Sequence, residues 1–234
     1  MRRDALGHES RGMKRIRTLI VSALLASLGP LVGNGLYAGP GSSGEAILAE
    51  ARDGLPEVAY VGIALELLGF AALAVLFAWL VVYLFERAPV AAVTTGVAGT
   101  AMLAVKVGSA GPMMVVHSLS DTLDPMTAEA LVSLNDQAFV VSGFLMSLAF
   151  LAAGVGLLAT EFPHWLAWWP TVAGGLGLVA GAVGIIRPEA YVPIPFLLLL
   201  VWMIAVAIAA VMGSGNAARV NPTKRIHHQG AATG

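Results

Sequence analysis

Six continuous apolar stretches organise this chain, at approximately 16–37, 58–85, 90–116, 139–160, 166–186 and 194–212. None alternates apolar with polar residues as a barrel strand would, and each is close to the roughly 20 residues that carry a helix across a bilayer. Helices satisfy their own backbone hydrogen bonds where no water can do so. The pattern predicts an all-α polytopic bundle of six transmembrane helices over residues 16–212. A basic N-terminal segment, 1–15, precedes it, and a polar tail, 213–234, is expected to be disordered. The joints carry proline and glycine, in "GPGSSG", "ERAP", "TEFPHW" and "RPEAYVPIP", residues that interrupt helices.

Two joints hold more. "SSGEAILAEARDGLPE" and "LDPMTAEALVSLNDQ" set Ser43 and Asp124 ahead of apolar-periodic residues, which predicts two short amphipathic helices on one surface. A lid over a cavity and a packed connector both fit them. The first run has the flanks of a signal peptide, "MKRIRT" before "LIVSALLASLG". It stays apolar through Leu36, beyond the about 7–15 residues of a signal core, and Leu36 would occupy the third position before the cleavage point. An uncleaved first span is expected.

Flanking charge sets the orientation. Arg2, Arg3, Arg11, Lys14, Arg15 and Arg17 gather at the N-terminus, Arg87 lies in an even-numbered joint, and Arg219, Lys224 and Arg225 lie in the tail. The odd-numbered joints hold Arg52 and Arg187 beside Glu45, Glu50, Asp53, Glu57, Asp121, Asp124 and Glu129. The positive-inside rule then places both termini in the cytoplasm, and Trp165, Trp168 and Trp169 form an interfacial belt at the inner end of the fifth run.

Composition agrees. The chain is 58% hydrophobic and 12% charged, whereas soluble domains carry about 25% charged residues. Its net charge of −1 gives no nucleic-acid signature, and the absence of cysteine excludes disulfides, thiolate metal sites and cysteine nucleophiles.

Two ionisable residues lie inside spans. Glu66 sits roughly 12 Å into the second run and Lys106 roughly 12–16 Å from the outer end of the third, at 1.5 Å per residue. The short "ERAP" turn makes these spans antiparallel neighbours, so the charges reach one depth. A lone charge at the bilayer centre costs about 2.5–3.5 kcal/mol, and pairing removes much of that. An ion pair is therefore expected, either closing the bundle or facing a ligand. Other polar groups share the outer half: Asn34 and Tyr37, Tyr60, Ser109 one turn from Lys106, His117, Asn135 and Asp136, and Arg187 with Tyr191. A cavity would open outward among Glu66, Lys106, Asn34, Tyr60, Ser109, His117, Asn135 and Asp136. Helix capping and interfacial solvation are the plainer roles for Asn34, Asn135, Asp136 and His117.

No cofactor or metal is expected. A haem needs axial ligands facing one another, and His117 and His164 fall at opposite faces; His227 and His228 lie in the tail. "GGLGLVAG" echoes a dinucleotide fingerprint but has no strand before it. Its better reading is close helix packing through Gly174, Gly177, Gly181 and Gly184, offered to a membrane-protein partner or a second copy. Pro112 is expected to kink the third span near its outer end, freeing the Gly108 carbonyl.

The layout resembles the DUF4386-type six-span bacterial membrane proteins. The resemblance rests on "GPLVGNGLYAG", on "ALELLGFAALAV", on a charged third span, and above all on "FPHWLAWWPTVAGGLGLVAG" leading into a glycine-rich helix. It covers most of residues 16–212. "KVGSAGP" departs from the arginine-bearing third span of that family, and "PFLLLLVWMIAVAI" lacks an acidic residue found there. The resemblance implies a multi-pass protein of the inner (plasma) membrane and contributes no mechanism.

Three functions are open on these residues. One is binding or transport of a small polar, amphiphilic or lipid molecule around Glu66 and Lys106. The second is a structural or accessory subunit of a larger membrane complex. The third is an intramembrane enzyme using Glu66, His117 or Asp136 as acid or base, for which no nucleophile–base spacing is visible.

Overall fold

The computed structural model describes residues 2–36 and 43–220, with backbone alone at 2–16, 34 and 213–220. Its regular structure is helical: α1 (Arg2–Gly35), α2 (Gly44–Asp53), α3 (Glu57–Leu84), α4 (Pro89–Gly108), α5 (Ala110–Ser118), α6 (Pro125–Leu158), α7 (His164–Ile186) and α8 (Ile194–Val220), with one 3-10 turn at Pro188–Ala190. Among the described residues 5 helical segments are long and apolar enough to cross a membrane: α3, α4 with α5 as Pro89–Ser118, α6, α7, and α8 as far as Met212. The apolar part of α1, Arg17–Gly33, falls just short of them in length. The backbone of α8 continues to Val220, so residue 212 ends the apolar stretch rather than the helix. Tyr37, most of "GPGSSG" and the tail histidines His227 and His228 lie outside the described residues.

Short connections make the long helices alternate in direction. One end of the bundle carries α2 and the start of α3; the opposite end carries Trp165 and Trp168, both exposed. At that second end Arg87, after α3, reaches Glu161, after α6, at 3.6 Å.

One expected boundary is absent from the structure, and one expected break is located. "LDPMTAEALVSLNDQ" is not a separate surface helix but the first turns of α6, a single helix of 34 residues. Asp124 caps it, accepting from the Thr127 N–H at 3.0 Å, and Pro125 is preorganised for the first helical position. No glycine or proline stands between Pro125 and Gly143, so the helix propagates from its cap into the apolar run. The break in the third span falls at Ser109, three residues before Pro112. Pro112 offers no N–H to the carbonyl of Gly108, and the slack is taken up one residue later. Ser109 is buried there, its hydroxyl donating to the Lys106 carbonyl at 2.7 Å.

Small residues set two close crossings. At α1 against α3, a Cβ on Gly29 would meet the Leu65 carbonyl oxygen at 2.6 Å and one on Gly33 the Gly62 carbonyl oxygen at 2.6 Å. Gly69 likewise leaves room for the Pro30 ring. At α6 against α7, a Cβ on Gly174 would meet the Ser147 carbonyl oxygen at 2.7 Å, and Cβ atoms on Gly177, Gly181 and Gly184 would meet the Ser147 side chain, Phe144, and Val140 with Tyr191. All four of these α7 glycines are buried within this chain. The face expected to meet a partner is therefore spent on α6, because glycine lets two backbones approach where any side chain would hold them apart.

The main apolar core joins α1, α3, α4, α6, α7 and α8 around Phe77, Met102, Phe150, Leu166 and Trp202. One contact within it has a covalent cause. Pro170 lies four residues after Leu166 and has no N–H to donate to that carbonyl. The buried indole of Trp202 supplies the missing donor, Nε1–H to the Leu166 oxygen at 2.6 Å. A second, smaller cluster closes the α2 end, with Ile47, Leu48 and Ala51 of α2 against Val116 and Ala128. The Gly44 N–H donates to Glu129 at 2.7 Å, and Arg52 reaches Asp121 at 3.5 Å and the Ser120 carbonyl at 3.1 Å. These contacts make α2 a packed connector.

Candidate functional site

Between the two clusters lies a level where α3, α4 with α5, and α6 bury few residues, while α1 stays close-packed on α3, a Cβ on Gly33 falling 3.1 Å from the Glu66 Cβ. In α3 the burial from Gly69 onward is regular, whereas between Glu57 and Leu68 only Ala59 and Gly62 are buried. In α4 and α5 nothing is buried between Met102 and Ser109, or between Ser109 and Val116. In α6 nothing is buried between Ala128 and Val140. Three helices therefore loosen together, about 14 Å in from the start of α3 at 1.5 Å per residue.

Glu66 and Lys106 occupy that level. Lys106 Nζ stands 3.5 Å from Glu66 Oε1, with the side chains 18% and 22% exposed. The expected pair is present, at the expected common depth. Lys106 also faces two aromatic rings, Phe139 at 5.2 Å and Phe70 at 5.9 Å from the ammonium to the ring centroids. Each ring attracts the ammonium through its negative face. Phe70 lies one turn after Glu66 on the same helix face, and Phe139 approaches from α6. Phe139 is met edge-on by Tyr191 at 6.0 Å and by Phe196 at 5.9 Å. Burial pushes the Tyr191 phenol above its ordinary range.

The remaining sequence candidates are not all drawn in. Ser109 is adjacent, but its hydroxyl proton is committed to the Lys106 carbonyl. Asn135, half-buried, lies one turn from Phe139 on α6, while Asp136 is exposed; neither caps a helix, because α6 begins at Pro125. His117 is half-buried and about 16 Å further along the α4–α5 axis from Lys106. Tyr60 is 61% exposed, since six residues from Glu66 bring it round to another side of α3. Asn34 is on α1, and its side chain is outside the described residues. The two aromatic partners of Lys106 were missed from sequence. The spacing of Phe70 from Glu66 is the signal for one, and Phe139 had none, because its neighbourhood depends on how α6 packs.

Two apolar grooves lie elsewhere. One of about 520 Å³ runs between the start of α4 and the end of α6, past Ala88, Thr94, Ala152 and Gly156. The other, of about 300 Å³, lies between α7 and α8 beside Trp168, Trp169 and Leu198. Neither touches the charged level. Among the described residues no three His, Cys, Asp or Glu side chains stand close enough to hold a metal ion.

The site can pair with charge of either sign, and it is walled by aromatic faces on its cationic side. No protein-family model, no curated protein and no solved structure matches the chain.

Proposed function

We propose that this chain binds or transports a small polar, amphiphilic or lipid molecule at the level of Glu66 and Lys106. One observation carries the reading: an ion pair 3.5 Å apart, its side chains 18% and 22% exposed, sits in a loosened layer between two closed apolar clusters. Cohesion alone gives no reason for this arrangement, because well-packed hydrophobic residues of similar volume commonly stabilise as much as a buried pair. A pair that must remain reachable needs the loose layer.

On the same reading α1 is a sixth span. Its apolar part of 17 residues lies at the lower end of the about 17–25 that cross a bilayer, and Ser27 ties it to α8 by a 2.9 Å hydrogen bond to the Leu200 carbonyl. Both termini are cytoplasmic and the α2 end faces outward. This is supported by Trp165, Trp168 and Arg87 at one end and by the exposed acids Glu45, Asp53, Glu57 and Asp121 at the other. The DUF4386-type resemblance fits a bacterial inner-membrane protein. The accessory-subunit reading loses its main support, because Gly174, Gly177, Gly181 and Gly184 are buried against α6. The enzyme reading, with Glu66, His117 or Asp136 as acid or base, draws no support from the positions of these residues.

Native mass spectrometry of protein released from phospholipid nanodiscs tests the proposal. A molecule held by the wild type and lost from both Glu66→Gln and Lys106→Met, each still folded, supports it. Retention of the same molecule by both variants overturns it.

A further inference from the structure

Resting on that reading of the site, we infer that its ligand is a zwitterionic amphiphile, carrying an ammonium and an anionic group within one head. Among the described residues, the Glu66 carboxylate and the Lys106 ammonium stand 3.5 Å apart in this layer. A singly charged ligand that reaches either group meets a like charge beside it. A zwitterion makes two attractive contacts and leaves the layer neutral, which matters where water does not repay an unpaired charge.

The aromatic walls say where the ligand's cation goes. Phe139 and Phe70 face the present position of Lys106 Nζ at 5.2 Å and 5.9 Å, with Glu66 Oε1 on the third side. That position suits any ammonium, and alkylated ammonium best, since recognition of such groups by aromatic faces is widespread. Lys106 has a flexible four-carbon stem, so it can yield the place and turn to the ligand's anion. Glu66 keeps a cation throughout.

The surroundings of the pair supply the amphiphilic half. Ile63 and Leu67 on α3 and Val107 on α4 lie within one turn of Glu66 or Lys106, and all are exposed. A head seated on the pair would leave its chain lying along these side chains, in the hydrocarbon.

The test uses the full chain in uncharged maltoside micelles and three probes with comparable tails. These are a lysophosphatidylcholine, dodecanoate and dodecyltrimethylammonium, with binding read by thermophoresis. Wild type is expected to take the zwitterion at least about tenfold more tightly than either singly charged probe. Lys106→Met should turn the preference to dodecyltrimethylammonium, and Glu66→Gln should turn it to dodecanoate. The double variant, which leaves no lone charge and so guards against unfolding of the singles, should show no discrimination. A wild-type preference for a singly charged probe that vanishes in the double variant overturns the zwitterion while leaving the site in place. A zwitterion preference unchanged in the double variant also overturns it. Equal binding of all three probes by wild type and every variant overturns both the ligand class and the site.

Discussion

Removing one member of the Glu66–Lys106 pair should cost far more stability than removing both. At the observed 3.5 Å and an effective dielectric of about 20, the gross attraction is about 5 kcal/mol. Most of that offsets desolvation, so the pair's net contribution is small. A charge left behind loses the attraction but keeps the desolvation, and on insertion scales a lone charge in the span costs about 2.5–3.5 kcal/mol. Glu66→Gln is therefore expected to destabilise by about 3 kcal/mol. Lys106→Met should lose a similar amount, plus about 0.5–1 kcal/mol for each aromatic contact given up at Phe139 and Phe70. The double variant, with no lone charge, should sit within about 1–2 kcal/mol of wild type. Equilibrium unfolding in bicelles, followed by tryptophan fluorescence, measures all three and yields the coupling energy. If the two single losses add in the double variant to within about 0.5 kcal/mol, the residues do not act as a pair, and the reasoning for the charged layer falls.

Other outcomes follow from the packing and the caps. Gly33→Ala puts a Cβ 2.6 Å from the Gly62 carbonyl oxygen and should cost about 1–3 kcal/mol by overpacking. Gly35→Ala, with nothing within 4 Å, should be neutral or stabilising by up to about 1 kcal/mol in the same unfolding assay. Trp202→Phe removes the indole donor that serves the Leu166 carbonyl and should cost about 1–3 kcal/mol. Adding Pro170→Ala, which restores a backbone N–H there, should recover part of the loss. The Asp124 carboxyl is held below its ordinary range by the Thr127 hydroxyl and then by the Thr127 N–H. Its cap is thus fully present above the ordinary aspartate range and lost as pH falls through the lowered folded value. Amide protection at Thr127 should drop with acidification in wild type, and Asp124→Asn should flatten that dependence.

Much of the architecture could be read from sequence because hydrocarbon leaves few choices. The helical segments follow the apolar runs closely, and the depths of Glu66 and Lys106 follow from a fixed rise per residue. Propagation and partnership were harder to read. The polar appearance of "SLNDQ" argued for a boundary at residue 139, yet a strong cap at Asp124 followed by an unbroken run of tolerated residues carries α6 straight through it. Gly174, Gly177, Gly181 and Gly184 could be read as a close-packing face, but no periodicity says whether the facing backbone belongs to the same chain. Trp202 and Leu166 illustrate the same limit. The freed carbonyl follows from Pro170, while the indole that answers it comes from a residue 36 positions away.

The loosened layer is where local preference and close packing part company. Above it α2 is tied down by a hydrophobic cluster, by Glu129 on its first N–H and by Arg52. Below it the bundle closes around Phe77, Phe150 and Trp202. A chain selected only for cohesion would run one apolar core between these two, since every needed side chain type is abundant here. Instead an acid, a base and two rings interrupt it, at a depth where charge is costly and where the surrounding residues stay partly open. Departures of this kind, where a sequence breaks a packing rule that it obeys on either side, are expected at functional positions. The probe series at Glu66 and Lys106 tests whether this level seats a ligand.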